Sequence, residues 1–129
     1  MSVTFFIPQA PLVKSFPYPD DEPDYVEYVP AAPFIELNMA NSNAADVLEK
    51  IAPWADPYCG TWGESELRRV QRATMLVLNR DPASLVKESV QEGNFYECGR
   101  DMDYVTNRLT QMLTLVTVAL QHGFRVSYG

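Results

Sequence analysis

The sequence has few of the residues from which metal sites, disulfide frameworks and catalytic centres are usually built. Its 129 residues include two cysteines, Cys59 and Cys98, and a single histidine, His122. Two cysteines outside a Cys-x-x-Cys pair do not make a disulfide framework, and one histidine builds a zinc site only with the help of carboxylates. We therefore expect two reduced and ordinary thiols, no structural metal and no cofactor.

Long apolar runs and targeting signals are also missing. No apolar stretch approaches the roughly 20 residues that span a bilayer, and the first residues lack the cationic start and cleavage site of a signal peptide. No Gly-x-Gly-x-x-Gly or Gly-Lys-Ser/Thr segment is present, which excludes a standard nucleotide-binding loop. We expect a soluble cytoplasmic protein without membrane contact.

Positive charge is scarce, because 17 acidic residues against 10 basic ones give a net charge of −7. An acidic surface repels phosphate, so direct binding of DNA or RNA is disfavoured and a protein with a basic surface is the favoured partner. Surplus acid also serves solubility alone, and that interpretation stays open.

What the sequence has is a proline-rich start, with seven of the ten prolines in the first 33 residues and Lys14 as the only base there. Residues 8–32 are predicted to form an extended arm that packs on its own domain or on a neighbouring subunit, with disorder as the competing interpretation. The acidic and aromatic side chains of this arm are the predicted contacts for a partner: Asp20, Asp21, Glu22, Asp24, Tyr25, Glu27 and Tyr28.

The rest of the chain alternates between strand and helix patterns. Strands are predicted at residues 3–7, 34–39 and 124–128; helices are predicted to begin at capping boxes, Asn43 with Asp46 and Thr61 with Glu64, and at Asp101, and to end at Pro53, Asp81-Pro82 and Gly123. Residues 83–99 are ambiguous. Because strands and helices do not alternate regularly, the pattern predicts one α+β domain, residues 1–129, in which a small sheet of two to four strands packs against about three helices.

The last predicted helix is apolar on more than one side. Leu115, Val118 and Ala119 widen its apolar stripe toward the C-terminal half. Such a helix lies either in the centre of the core or in a subunit interface, so a homo-oligomer is one of two predictions.

A polar run between the end of a predicted strand and the start of a helix is the candidate ligand site. Free backbone N–H groups and the helix dipole could receive a carboxylate or phosphate there, although turn formation and capping explain the same residues. Arginines of the second helix would supply charge, or would form a solvated face paired with Glu64 and Glu66. The candidate residues are Asn38, Asn41, Ser42, Asn43, Arg68 and Arg72.

An aromatic loop holds Trp54, Tyr58 and Trp62, residue types that serve either an interface or a core lid, and we add both tryptophans to the predicted partner contacts. Catalytic candidates are weaker. His122 is explained by the end of a helix, and Asp101 and Asp103 point in different directions on a helix. The sequence therefore favours a protein that is not an enzyme.

Residues 34–44, Phe-Ile-Glu-Leu-Asn-Met-Ala-Asn-Ser-Asn-Ala, resemble a segment of small uncharacterised proteins of phages and prophages. Those proteins are similar in having an apolar strand, an Asn-rich turn, a short helix and a long final helix that ends in Gly before a closing strand. The likeness covers roughly residues 33–129 and implies a phage or mobile-element setting. It transfers no catalytic residue and has no counterpart for the arm.

Three functions remain open at this point. The leading hypothesis is a non-enzymatic accessory protein that binds, and inhibits, a host defence or nucleic-acid-processing protein through its acidic surface. The second is a protein that binds or sequesters a nucleotide or similar anion. The third is a structural virion or assembly component whose arm holds a neighbouring subunit.

Overall fold

The computed structural model describes residues 1–15, 26–80, 82–86, 90–92, 95–97 and 101–129. Its strands are β1 (Ser2–Phe6), β2 (Leu12–Ser15), β3 (Glu27–Pro30), β4 (Leu37–Ala40), β5 (Gly60–Trp62), β6 (Val90–Glu92), β7 (Phe95–Glu97) and β8 (Val126–Tyr128). Its helices are α1 (Asn41–Ile51), α2 (Glu64–Arg80) and α3 (Met102–His122), and Pro82–Leu85 forms a short 3-10 turn. The predicted α+β class is confirmed.

The main sheet is antiparallel and runs in the order β4, β1, β8, β5. In its register Phe5 lies opposite both Leu37 and Tyr128, and Trp62 lies opposite Val126. The strands predicted at both ends of the chain and before the first helix are therefore confirmed as members of one sheet. β4 begins at Leu37 rather than Phe34, and β5 was missed because its neighbourhood is rich in turn residues.

The two faces of this sheet differ in polarity, as strand alternation requires. Phe5, Leu37 and Trp62 are buried toward the helices, whereas Asn38 and Thr61 are exposed on the other face. On that outer face the Asn38 Nδ2 atom donates to the hydroxyls of Ser2 and Thr4, and the hydroxyls of Thr61 and Ser127 lie 3.1 Å apart. The sheet and helices thus form two layers with one core between them.

The wide apolar stripe of α3 is covered by the chain itself. Leu115, Val118 and Ala119 are all buried, which is the core alternative of the two that the sequence allowed. The helix ends as predicted at Gly123, whose φ of 67° is left-handed and whose N–H bonds to the carbonyls of Ala119 and Leu120. Burial of α3 therefore requires no second subunit.

Both predicted capping boxes are wrong. α1 begins at Asn41 after Ala40, with no side-chain cap, because Asn43 turns inward and its Nδ2 donates to the Tyr104 hydroxyl at 3.2 Å. α2 begins after Gly63, whose carbonyl accepts from Leu67 and whose N–H donates to the Glu66 carboxylate at 3.1 Å.

The ambiguous stretch 83–99 is described in part. Its residues Val90–Glu92 and Phe95–Glu97 pair as an antiparallel hairpin, after the 3-10 turn that ends at Leu85. Cys98 lies outside the described residues.

Candidate interaction surface

The predicted arm contains a hairpin that leaves the main sheet between β1 and β4. β2 and β3 pair with each other, from Leu12 opposite Pro30 to Ser15 opposite Glu27, and belong to no larger sheet among the described strands. Proline occupies the last position of β3, where a missing N–H costs the ladder little. The arm is therefore extended at both of its described ends.

The root of the hairpin is fixed to the domain. The Ala31 N–H donates to the Pro11 carbonyl at 2.8 Å, which closes the two chains on each other. Just beyond, Phe34 is buried, with its ring 4.9 Å from the His122 ring and 5.8 Å from the Phe124 ring. The chain that follows the hairpin is thus anchored by packing at the C-terminal end of α3.

The hairpin itself exposes apolar side chains. Leu12 is 59% exposed, Val13 is 47% exposed and Tyr28 is 63% exposed. A two-stranded hairpin is marginally stable in water unless one of its faces is covered, and these residues lie on both faces. The other described residues therefore leave these apolar side chains of the hairpin, residues 12–15 and 26–30, largely uncovered.

The hairpin carries the acidic group between its strands. Glu27 is exposed in β3. The other acidic candidates, Asp20, Asp21, Glu22 and Asp24, and the aromatic candidate Tyr25 lie outside the described residues. The four acidic residues contribute negative charge to this part of the chain.

The two candidate tryptophans have different environments. Trp62 is 2% exposed, and its ring lies 5.8 Å from that of Phe5 and 4.9 Å from that of Tyr128, so the core alternative holds for it. Trp54 keeps an exposed edge and lies beneath the Arg69 guanidinium, 4.5 Å from the ring centroid. Of the two tryptophans, only Trp54 has surface available to a partner. Its ring lies 6.3 Å from that of Trp62 in β5, which is the edge strand on the side of the sheet away from β4.

The candidate asparagines do not converge. Asn38 is on the outer face of the sheet, whereas Asn43 is buried against α3. The Asn41 N–H donates to the Met1 carbonyl at 3.2 Å, and Ser42 is exposed. None of these four side chains lines the cavity between residues 33–37 and α3, the one at the C-terminal end of α1 or the one beside Gly123.

The arginines predicted to supply charge to that turn lie elsewhere. α2 follows β5, which is separated from β4 by two strands, so Arg68 and Arg72 start from the opposite side of the sheet. Arg68 pairs with Glu64 at 2.9 Å, and both are exposed. The structure therefore does not bring the asparagine turn and the arginines into one anion site, and Arg68 matches the solvated-face alternative.

At the start of α2 the local hydrogen bonds hold a carboxylate in its charged form. The backbone N–H of Glu66 itself, then the Ser65 hydroxyl and the Gly63 N–H, lower the pKa of the Glu66 carboxyl below its ordinary value. A group whose pKa is lower in the folded than in the unfolded state stabilises the fold above its unfolded pKa, and this stabilisation is lost as pH falls through the folded pKa.

We accordingly expect Glu66→Gln to flatten the loss of stability on acidification. The measurement is the thermal midpoint of both proteins from neutral to acid pH, with the Glu66 carboxyl titrated by NMR in the folded protein. Midpoints that fall in parallel for the two proteins would contradict this assignment.

Groups of three or more metal-ligating side chains are not found in the described part of the chain, and Cys59 there is an exposed free thiol. None of the described helices combines the length and hydropathy needed to cross a membrane. Comparison with protein-family models, curated proteins and solved structures yields no match.

Proposed function

We propose that this chain is a non-enzymatic accessory protein that binds a protein with a basic surface through its protruding hairpin. The observation that supports this most is the exposure of Leu12, Val13 and Tyr28 on a two-stranded hairpin that pairs with nothing else in the described structure. Exposed apolar and tyrosine side chains grouped on one element are typical of the centre of an interface.

Charge specifies the partner. Five acidic residues fall between positions 20 and 27, and Lys14 is the only base in the first 33 residues. Negative charge next to exposed apolar side chains attracts a basic protein and accelerates the encounter between the two. High salt screens this attraction and slows association. The apolar contacts would then hold the complex with little dependence on salt.

The biological setting that we propose is that of a phage. Its support is the resemblance of residues 33–129 to small phage and prophage proteins, together with the acidic charge. Defence and nucleic-acid-processing proteins carry basic grooves for phosphate, so an acidic arm that occupies such a groove would inhibit them. The specific activity that we propose is therefore inhibition of a host protein of this class.

The two other hypotheses have unequal support. The anion-binding alternative has no joint site for Asn38, Asn43 and Arg68, since these residues lie on different faces or edges. In the assembly alternative the same hairpin binds a neighbouring virion subunit instead of a host protein. The identity of the protein that the hairpin captures distinguishes the two hypotheses.

The test is affinity capture from a host-cell lysate, at low and at high salt, with purified protein and two double variants. Leu12→Ser with Tyr28→Ser removes the exposed apolar side chains of the hairpin. Met75→Ser with Leu76→Ser removes two residues of α2 that are 46% and 49% exposed, and serves as the matched control. We expect the hairpin variant to bind the captured protein about tenfold or more weakly, and the α2 variant to bind like the parent.

Charge reversal at Asp20, Asp21, Glu22 and Asp24 should lower the association rate and reverse its salt dependence, because salt then screens a repulsion instead of an attraction. A captured protein that binds the hairpin variant and the parent equally well would contradict the proposal. Capture of a further copy or of a virion subunit, with no host protein, would support assembly instead.

A further inference from the structure

β4 forms one edge of the main sheet, and no other described strand pairs with its outer side. The N–H and C=O groups of Thr4 bond to Gly129, at 3.0 and 3.2 Å, so Thr4 faces β8. Because antiparallel ladders alternate, its neighbours in β1 face β4, and the residues opposite them, Leu37 and Met39, face β1. The backbone of Asn38 therefore points away from the sheet, where it can accept another strand.

An apolar groove runs beside this edge. It has a volume of about 140 Å³ and lies between residues 33–37 and α3, with Leu37 and Leu115 in its lining. Thr110 and Thr114 also line it, and their hydroxyls donate back to the carbonyls of Thr106 and Thr110, so neither donor is left for a ligand. A cavity of roughly 150 Å³ is large enough for benzene, and hence for one aliphatic side chain.

Arg108, a cation without an ion pair among the described residues, lies at the α3 side of the groove. Gln111 lines the groove and accepts from Arg108 Nη1 at 3.0 Å, while the Arg108 guanidinium lies 5.1 Å from the Tyr104 ring centroid. Its Nε atom is buried without a hydrogen-bond partner, and no carboxylate of the described residues forms an ion pair with it. The charge of the Arg108 guanidinium is therefore not balanced by a described carboxylate, and a carboxylate of another molecule could balance it.

The same part of the surface carries an aliphatic side chain that could fill the groove and a carboxylate that could pair with Arg108. Ile35 is an aliphatic side chain, 67% exposed, at the rim of the groove. Its neighbour Glu36 is exposed and makes no ion pair within the described residues, although it lines the same groove as Gln111. Arg108 and Glu36 therefore do not meet within one chain but can meet reciprocally across a twofold axis, as isologous interfaces require.

We propose that the β4 edge is a dimerisation surface, on which a second copy adds its own β4 edge antiparallel to the first. Each Ile35 then packs at the groove of the other copy, and each Glu36 forms an ion pair with the partner's Arg108. Backbone hydrogen bonds of the two edges supply the direction, and the two reciprocal ion pairs supply the specificity. This dimer is independent of the hairpin, so either proposal can fail alone.

Sedimentation equilibrium over a concentration series at physiological ionic strength tests it. We expect a monomer–dimer equilibrium whose dissociation constant rises at least about tenfold in Glu36→Arg and in Arg108→Glu, and in Ile35→Lys, which places charge at the edge. The double variant Glu36→Arg with Arg108→Glu swaps both charges and should restore the dimer to within about threefold of the parent.

Arg72→Glu, a charge change of the same size on the exposed face of α2, is the control and should leave dimerisation unchanged. Circular dichroism confirms that each variant is folded, and the exposed Glu36→Arg variant carries the test if Arg108→Glu lowers stability. A chain that is monomeric at every concentration overturns the proposal and leaves the edge to a strand of another protein. A dimer whose dissociation constant is unchanged by Glu36→Arg also overturns the proposal. So does a dimer that the charge swap does not restore.

Discussion

Phe5→Ala is expected to lower the free energy of unfolding by about 3–5 kcal/mol, as truncations of buried aromatic residues do. Phe5 lies on a central strand of the sheet, is fully buried and stacks on the Tyr128 ring at 5.0 Å. Removing its ring leaves a cavity between the sheet and the helices. Such a loss is a large fraction of the stability of an ordinary domain, roughly 5–15 kcal/mol.

Urea denaturation followed by circular dichroism measures this change, and Phe6→Ala is the matched control. Phe6 is the next residue of the same strand, lies on the other face and is only half-buried. We expect its replacement to cost much less, since less apolar area is removed from the protein interior. Equal losses for the two variants would show that the core is not on the face described above.

Gly60→Ala is also expected to lower the stability of the fold strongly, because Gly60 lies against the packed ring of Tyr128. A Cβ atom at Gly60 would come within 2.8 Å of the Tyr128 hydroxyl oxygen and 2.9 Å of the ring carbon that carries it. The ring cannot swing aside cheaply, because it packs on Phe5 and Trp62 and its hydroxyl donates to the Asp56 carbonyl at 2.7 Å. Burial, followed by the nearby Asp56 carboxylate, also raises the pKa of Tyr128, which keeps this donor protonated.

We expect Gly60→Ala to cost about 1–3 kcal/mol, the usual range for overpacking, and to shift the near-ultraviolet signal of the aromatic cluster. Gly129→Ala is the control, because a Cβ atom there meets its nearest neighbour, the Cys59 Cβ, at an ordinary 3.9 Å. A Gly60→Ala protein as stable as the control would mean that the Tyr128 ring is not held in place.

Local patterns predicted those elements whose burial repeats along the chain. The stripe of Val105, Leu109 and Met112, followed by Gly123, predicted α3 as far as its C-cap. The β-forming residues near the start of the chain predicted β1. Tertiary contacts decided the rest. β5 is a strand because Trp62 is buried between Phe5 and Tyr128, which the turn-like composition around it does not indicate.

The candidate sites were harder to predict, since they depend on strand order and on which face a residue takes. Asn43 has the composition of a cap, yet its contact with Tyr104 on a distant helix buries it. The prolines of the arm concealed a hairpin, although none lies in the interior of its described strands: Pro11 precedes β2 and Pro30 is the last residue of β3. The open edge of β4 could not be predicted, as the order β4, β1, β8, β5 follows from pairings far apart in the sequence.

On the function proposed above, binding resides in the hairpin and the domain folds without it. The most direct measurement replaces residues 12–30 by Asn-Gly, a two-residue link that fits the closed pair of Pro11 and Ala31, and compares partner capture and urea unfolding with the parent. We predict unchanged cooperative unfolding and loss of the captured protein. A hairpin-less chain that still binds the same partner with the parent's affinity would contradict the account.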